Sequence, residues 1–371
     1  MRTRRSKLAG WWGVLLPIAL LALVFQTGGT IAAAQAGAFP AFISMPGVSP
    51  RGVAVDKVGN VYVSVGEVRS TLEYIQVRKF TPAGEPLFSV EIGQGTIGGL
   101  MVTANGDLYI AIAAGSARGV YRMDREGQIG FLPGSNRIFF ANGLAFDDVG
   151  TLYVTESVSV SSPGPPPVFA QGGIWRIPRG GQAELCLRDE LLTGTGELGR
   201  DTGQPYPPIG ANGIAYYHGN LYVTNTEKGT VLTLPVWPDG SVGAPEVWAE
   251  LEDPLPGSPL AQMFPGVMGD GIALDVHGNL YVAALTRSAV VRIDLLDKSQ
   301  ETVAAFRVPD TLPLYAPFDF PASLFFGTGK GERTNLFVTN LGLGKVRVPP
   351  LPWAGPGLVK IDAGLPGRPT H

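Results

Sequence analysis

The chain has 371 residues, 45% of them hydrophobic and 16% charged, which allows a sizeable buried core and excludes a largely disordered chain. A net charge of -3 excludes the broad basic surface of a nucleic-acid binder. The 51 glycines and 32 prolines, set among many Val, Ile and Tyr, point to short strands joined by turns.

The chain opens on a positive stretch, Arg2, Arg4, Arg5 and Lys7, followed by an apolar run over 8–25 and small residues ending Ala34-Gln35-Ala36. That order predicts a secretory signal over 1–36, cleaved after Ala36. The apolar run is also near the lower limit of ~18 residues for a spanning helix, so an uncleaved anchor is the alternative, and the only one that ties the protein to a membrane. Either way the folded part, 37–371, is expected outside the cytoplasm, secreted or in the cell envelope.

From Arg51 one phrase recurs. It reads RGVAVDKVGNVYVSV from Arg51, GGLMVTANGDLYIAI from Gly98, NGLAFDDVGTLYVTE from Asn142, NGIAYYHGNLYVTN from Asn212 and DGIALDVHGNLYVAA from Asp270, with a degenerate copy, ASLFFGTGKGERTNLFVTN, from Ala322. Each copy reads as two strands around a tight turn. Val53, Val55, Val61 and Val63 supply β-branched strand residues, and Lys57-Val58-Gly59-Asn60 the turn. A third strand is expected at 77–80, 119–123, 173–177, 231–234 and 290–293, and weaker outer strands at 87–92 and 302–306. Four strands over a period of roughly 40–50 residues predict an all-β, six-bladed β-propeller in a single domain.

The last copy has its third strand at 357–362 and little chain after it. Ala41-Phe42-Ile43-Ser44 is therefore expected to complete that blade and close the ring. Tyr62, Tyr109, Tyr153, Tyr222, Tyr281 and Phe337 recur in register and are expected to pack between blades. Insertions at 157–171, 189–209, 250–268 and 342–356 are too long for plain turns and read as functional loops or surface decoration. Trp353, in the last of them, is a candidate cap for the channel mouth. The lone Cys186 can form no intrachain disulfide and reads as a buried small hydrophobe.

In a propeller the first strand of each blade lines the central channel. The residues that open the phrases, Arg51, Gly98, Asn142, Asn212, Asp270 and Ala322, are therefore expected to face the axis. Asn142, Asn212 and Asp270 bring oxygen donors from three successive blades to one point, a set that suits a hard cation such as calcium. The plainer alternative is turn chemistry, since Asn before Gly also bonds its own backbone. The second strand runs back to the same face and adds Glu156, Asn225 and Asn340 to the expected rim. His218 and His277 fall in turns at the far end and His371 ends the chain, so histidine-based catalysis is not expected. The sequence has no G-x-S-x-G, H-E-x-x-H, cysteine pair or phosphate loop.

ANGLAFD from Ala141, ANGIAYY from Ala211, GDGIALD from Gly269 and the later Leu358-Val359-Lys360-Ile361-Asp362 resemble the senescence marker protein, gluconolactonase and regucalcin family. The resemblance spans about Arg51 to Gly367. NHL-type propellers use similar phrases, and paraoxonases and strictosidine synthase-like proteins share the six-bladed fold. The resemblance implies a divalent metal at the channel mouth, held in that family by a blade-one Glu, an Asn and an Asp. By position it makes Asn212 and Asp270 metal ligands and Asn142 the additional Asn for metal or substrate. Asp270 is then also the candidate general base, with Asn142 beside it in the catalytic set.

The family's Glu falls on Arg51, and a guanidinium stays charged and ligates no cation. Three readings follow. Arg51 takes the metal's place beside Asp270; or Glu156 supplies the missing carboxylate while Arg51 holds an anionic substrate; or the blade-one register differs and the site carries no function. Arg51, Glu156, Asn225 and Asn340 are the candidate substrate-binding residues, and Asn142, Asn212 and Asp270 the candidate ligands of a divalent metal, calcium first. The expected function is hydrolysis of a sugar lactone or small ester. The alternatives are a non-catalytic propeller that binds a small ligand or partner, and a strictosidine synthase-like lyase or synthase. The sequence names no oligomeric state.

Overall fold

The computed structural model describes residues 41–70, 72–162, 168–197, 207–254, 256, 266–305, 318–342 and 355–369. Among them each repeat folds as a four-stranded antiparallel sheet, giving six blades. Blade one comprises Ser49–Val55, Val61–Arg69, Leu72–Phe80 and Pro86–Gln94, numbered from the channel outward. The innermost strands of the other five are Thr96–Val102, Ala141–Phe146, Ala211–Tyr217, Gly269–Leu274 and Pro321–Phe326. Blade six takes its outer strand from the N-terminal side, as expected, but as the short Ile43–Ser44, with Ile43 opposite Leu358 and Ser44 opposite Gly357. This pairing ties both ends of the propeller into one sheet and leaves no gap in the ring.

The turn inside three of the phrases, those of blades one, three and five, has a shared local cause. Asp56 accepts from the backbone N–H groups of Val58 and Asn60, Asp147 from Val149 and Thr151, and Asp275 from His277 and Asn279. These Asx turns bend the chain, and Gly59, Gly150 and Gly278 take the left-handed conformation that follows. The same carboxylates meet the anchor hydroxyls of Tyr62, Tyr153 and Tyr281 at 3.3–3.5 Å.

The core is divided among the blade junctions. Tyr62 packs with Ile97, Leu100 and Ile110 of blade two, Tyr153 with Ile214 and Val223 of blade four, and Phe337 with Val53 and Val63 of blade one. Each anchor thus seals its own blade against the next, as the repeat predicts. Cys186 is half-buried beside the junction of blades three and four, and burial pushes its thiol up to about 11, which leaves it inert.

The insertion at 157–171 forms a small hairpin, Ser159–Ser162 with Val168–Ala170, rather than an irregular loop. The insertion at 189–209 begins with a short 3-10 turn, Glu190–Leu192. The signal segment, Trp353 and most of the insertions at 250–268 and 342–356 lie outside the described residues.

Every innermost strand has a bulge at the same place, just after the residue that opens the phrase. In five of the six the bulge carries a glycine, which is there for close approach. A Cβ on Gly213 would stand 2.5 Å from the backbone oxygen of Asp270, one on Gly271 2.8 Å from that of Ala322, and one on Gly143 would collide with that of Asn212. Gly213→Ala is therefore expected to lower stability by about 1–3 kcal/mol, read as a lower urea midpoint, because a packed neighbouring strand must move.

The C-terminal segment crosses the far end of the channel, beside a second cavity of about 120 Å³ lined by Val102, Phe146, Tyr216, Leu274 and Phe326. Arg368 donates to the backbone oxygen of Tyr216, pairs with Asp148 at 3.5 Å and stacks over Tyr217, while its N–H bonds Leu274 O. Gly367 bridges to Asp275.

Candidate functional site

Along each innermost strand, side chains two residues apart point the same way. The channel is consequently layered. Deepest is an aliphatic ring of Val53, Leu100, Leu144, Ile214, Ile272 and Leu324, all lining one cavity of about 230 Å³. Above it stands the polar layer that the phrases predict: Arg51, Asn142, Asn212 and Asp270 line that same cavity, with Gly98 and Ala322 completing the ring. The blade-one register is correct, since Arg51 stands at the bulge equivalent to those of the other blades.

Hydroxyls on the second strands hold this layer. Thr155 Oγ1 accepts from Gly143 N at 2.7 Å and donates to Asn212 O at 2.6 Å. Thr224 Oγ1 donates to Asp270 O and Thr339 Oγ1 to Arg51 O, each at 2.6 Å. Each hydroxyl thus joins one blade to the backbone of the next site residue. The amides are fixed by their own side chains. Asn142 Nδ2 donates to Ser157 Oγ at 3.1 Å and Asn212 Nδ2 to Thr226 Oγ1 at 2.9 Å. Neither Asn makes the self-bonded turn that Asn-Gly suggests.

Asp270 lies deep in the channel and faces the cavity. Burial raises its carboxyl to about 7, opposed by the charge of Arg51 and by hydrogen bonding with Asn212. Arg51 itself is half-buried, and its Nε is enclosed without a hydrogen-bond partner. A second carboxylate feels the same cation: burial raises Glu73, opposed by Arg51 and by a hydrogen bond with Thr96. Glu73 lies across the face of Gly66, where a Cβ would collide with its carboxylate. Sequence reasoning missed Glu73 because it sits on the third strand, outside the repeated phrase. The signal was a carboxylate within Leu72–Phe80, a strand of alternating burial.

The three rim candidates go elsewhere. Glu156 is fully buried and accepts from Phe139 N and Trp175 Nε1, with Arg188 at 2.6 Å. Asn225 donates to Leu191 O and Thr193 O and accepts from Lys228 N, pinning the insertion that follows blade three. Asn340 is fully buried. None of the three lines the cavity, because the residue that ends the second strand points between the sheets and not at the axis. The two described histidines, His218 and His277, are exposed in far-side turns, as expected.

The donor set does not fit a divalent cation. The lining offers one carboxylate, Asp270, and the neutral amides of Asn142 and Asn212, against a permanently charged guanidinium. Among the described residues no three His, Cys, Asp or Glu side chains gather as a metal cluster.

No protein-family model and no curated protein sequence matches the chain. Its structure is similar to a putative gluconolactonase at 15% identity and a TM-score of 0.59, covering 91% of this chain and 96% of that one. It is also similar to regucalcin, a calcium-binding protein of Agrobacterium tumefaciens, at 15% identity and a TM-score of 0.56, covering 90% and 96%. A luciferin-regenerating enzyme gives 14% identity and a TM-score of 0.56, covering 87% and 94%. At such identities the likeness is one of fold. The chain is a six-bladed propeller of the gluconolactonase and regucalcin fold, with an arginine at the channel position where the sequence resemblance places a glutamate.

Proposed function

We propose that this propeller hydrolyses a small lactone or ester at the polar layer of its channel, without a metal ion. One observation carries the reading: Asp270, raised to about 7, faces a cavity that also holds the cation of Arg51. A carboxylate with that proton affinity is matched to general-base work near neutral pH. Asp270 takes a proton from water as the water oxygen bonds to the carbonyl carbon. The carbonyl π electrons move onto its oxygen, and the donors of Arg51 stabilise that charge. Collapse of the intermediate breaks the bond to the alkoxy oxygen, which takes the proton back from Asp270. Asn142 and Asn212, anchored by Ser157 and Thr226, orient the carbonyl group.

The signal segment expected over 1–36 supports action outside the cytoplasm, on a small molecule. The test is hydrolysis of a lactone and ester panel after exhaustive chelation. Turnover that survives the chelator and rises with pH through about 7 is expected. Turnover that vanishes on chelation and returns with calcium would end the metal-free reading. A second reading, an anion-binding propeller without turnover, is favoured by the enclosed Nε of Arg51. Tight binding of carboxylates with no hydrolysis across the panel would select it.

A further inference from the structure

The layer above the polar ring is apolar on four of the six blades. Two residues before Asn142, Asp270 and Ala322, and just ahead of their strands, stand Phe140, Met268 and Phe320. Blade four contributes Ile209, and Leu285 and Leu341 follow the second strands of blades five and six. All six line the cavity with the polar residues. They form an apolar collar on the mouth side of the polar layer that holds Asp270.

Two of the hydroxyls on the cavity wall are already engaged, while Ser49, two residues before Arg51, and Ser323 also line the cavity. Thr226 accepts from Asn212, and Thr286 donates to Gly266 O while accepting from Met268 N. One collar residue is also held against its backbone preference. Phe320 has φ 57°, a left-handed conformation that a bulky side chain rarely adopts. Bonds from Phe320 N to Ser288 Oγ and from Leu341 N to Phe320 O hold it there, with its side chain on the cavity wall. Such strain persists where the surroundings over-determine it, and it gathers at ligand sites.

We infer that the substrate is a lactone or ester with a hydrocarbon body, alkyl or aryl, whose carbonyl group is its one polar end, and that polyhydroxylated sugar lactones are rejected. The choice of a carbonyl head rests on the hydrolytic reading above; the hydrocarbon body rests on the collar alone. A sugar lactone would carry several hydroxyls into this collar. Each hydroxyl left without a partner costs on the order of tenfold in binding. Each methylene buried gains roughly fourfold.

The test is calorimetric titration of the wild-type protein with γ-lactams, hydrolysis-resistant analogues of lactones, bearing methyl, butyl and hexyl chains. Gluconolactam is the polar control. Affinity is expected to rise roughly fourfold per methylene until the cavity is full, with gluconolactam at least a hundredfold weaker than the hexyl compound. Met268→Ser, at a half-buried position, is expected to flatten the chain-length dependence and to leave the melting temperature nearly unchanged. Phe140→Ser is expected to do the same at a greater cost to stability. Affinity that ignores chain length, or gluconolactam binding as well as the alkyl compounds, would overturn the inference. If alkyl lactams bind and alkyl lactones are not hydrolysed, the ligand class stands and the hydrolase reading falls. If sugar lactones are hydrolysed in preference, the hydrolase reading stands and this inference falls.

Discussion

Asp270→Asn is expected to lower kcat by about 10²–10⁴-fold and, at pH 8, to make the protein more stable. In the fold Asp270 keeps its proton to about pH 7, whereas the unperturbed carboxyl loses it near 3.8. Between these values the unfolded chain is ionised at this position and the folded one is not. Unfolding then releases a proton, so wild-type stability falls as pH climbs from about 4 to about 7 and stays low above it. The shift corresponds to on the order of 2–4 kcal/mol, the lower end allowing for relaxation by channel water. Asn carries no charge, so the variant lacks this slope. The two proteins are expected to match near pH 4 and to diverge above pH 7. Glu73, raised in the same direction, leaves a residual slope in both. Urea denaturation at pH 4 and pH 8, with steady-state kinetics, checks the pair of effects. A variant no more stable than wild type at pH 8 would mean that Asp270 carries no such burden. Retained turnover would remove it as the base.

The ring of blades was legible because a propeller writes its geometry into a repeat. The Asp that caps three of the turns, the glycine at five of the six bulges and the aromatic at each junction all recur in one phrase, and each has one structural job. The polar layer was legible for the same reason: Arg51, Asn142, Asn212 and Asp270 hold one register position and line one cavity. What failed was the direction of residues just outside the phrase. Glu156, Asn225 and Asn340 end their strands near the mouth, but the pleat turns them between sheets, where Trp175, Arg188 and loop carbonyls receive Glu156 and Asn225. Glu73 escaped notice from the opposite side, because nothing periodic marks a third-strand residue that crosses a glycine to reach Arg51. The collar went unread in the sequence, although Phe140, Met268 and Phe320 each stand two residues before a site position. Reading it needed the structure, in which both layers line one cavity.

Arg51 is the residue on which the chemistry turns, and two substitutions separate its roles. Arg51→Met removes the charge that holds Asp270 down, so the rising limb of the pH–rate profile is expected to move above pH 7. With the oxyanion donor gone as well, kcat is expected to fall by about 10²–10³-fold. Arg51→Glu does something different. It places a second carboxylate in the cavity with Asp270, between amides whose nitrogens are already committed to Ser157 and Thr226. The exposed oxygens then resemble the carboxylate and amide set that calcium takes. Without calcium the two carboxylates repel, and the variant is expected to be less stable than wild type at neutral pH. Millimolar calcium is expected to raise its melting temperature, because an ion that binds only the folded form stabilises it by mass action, and to leave the wild type unmoved. Equal stabilisation of both proteins would mean that the guanidinium does not displace the ion, and metal-free hydrolysis would fall with it. Stabilisation of neither would mean that charge alone does not separate this channel from a cation site, and the spacing of the ring would have to account for the difference.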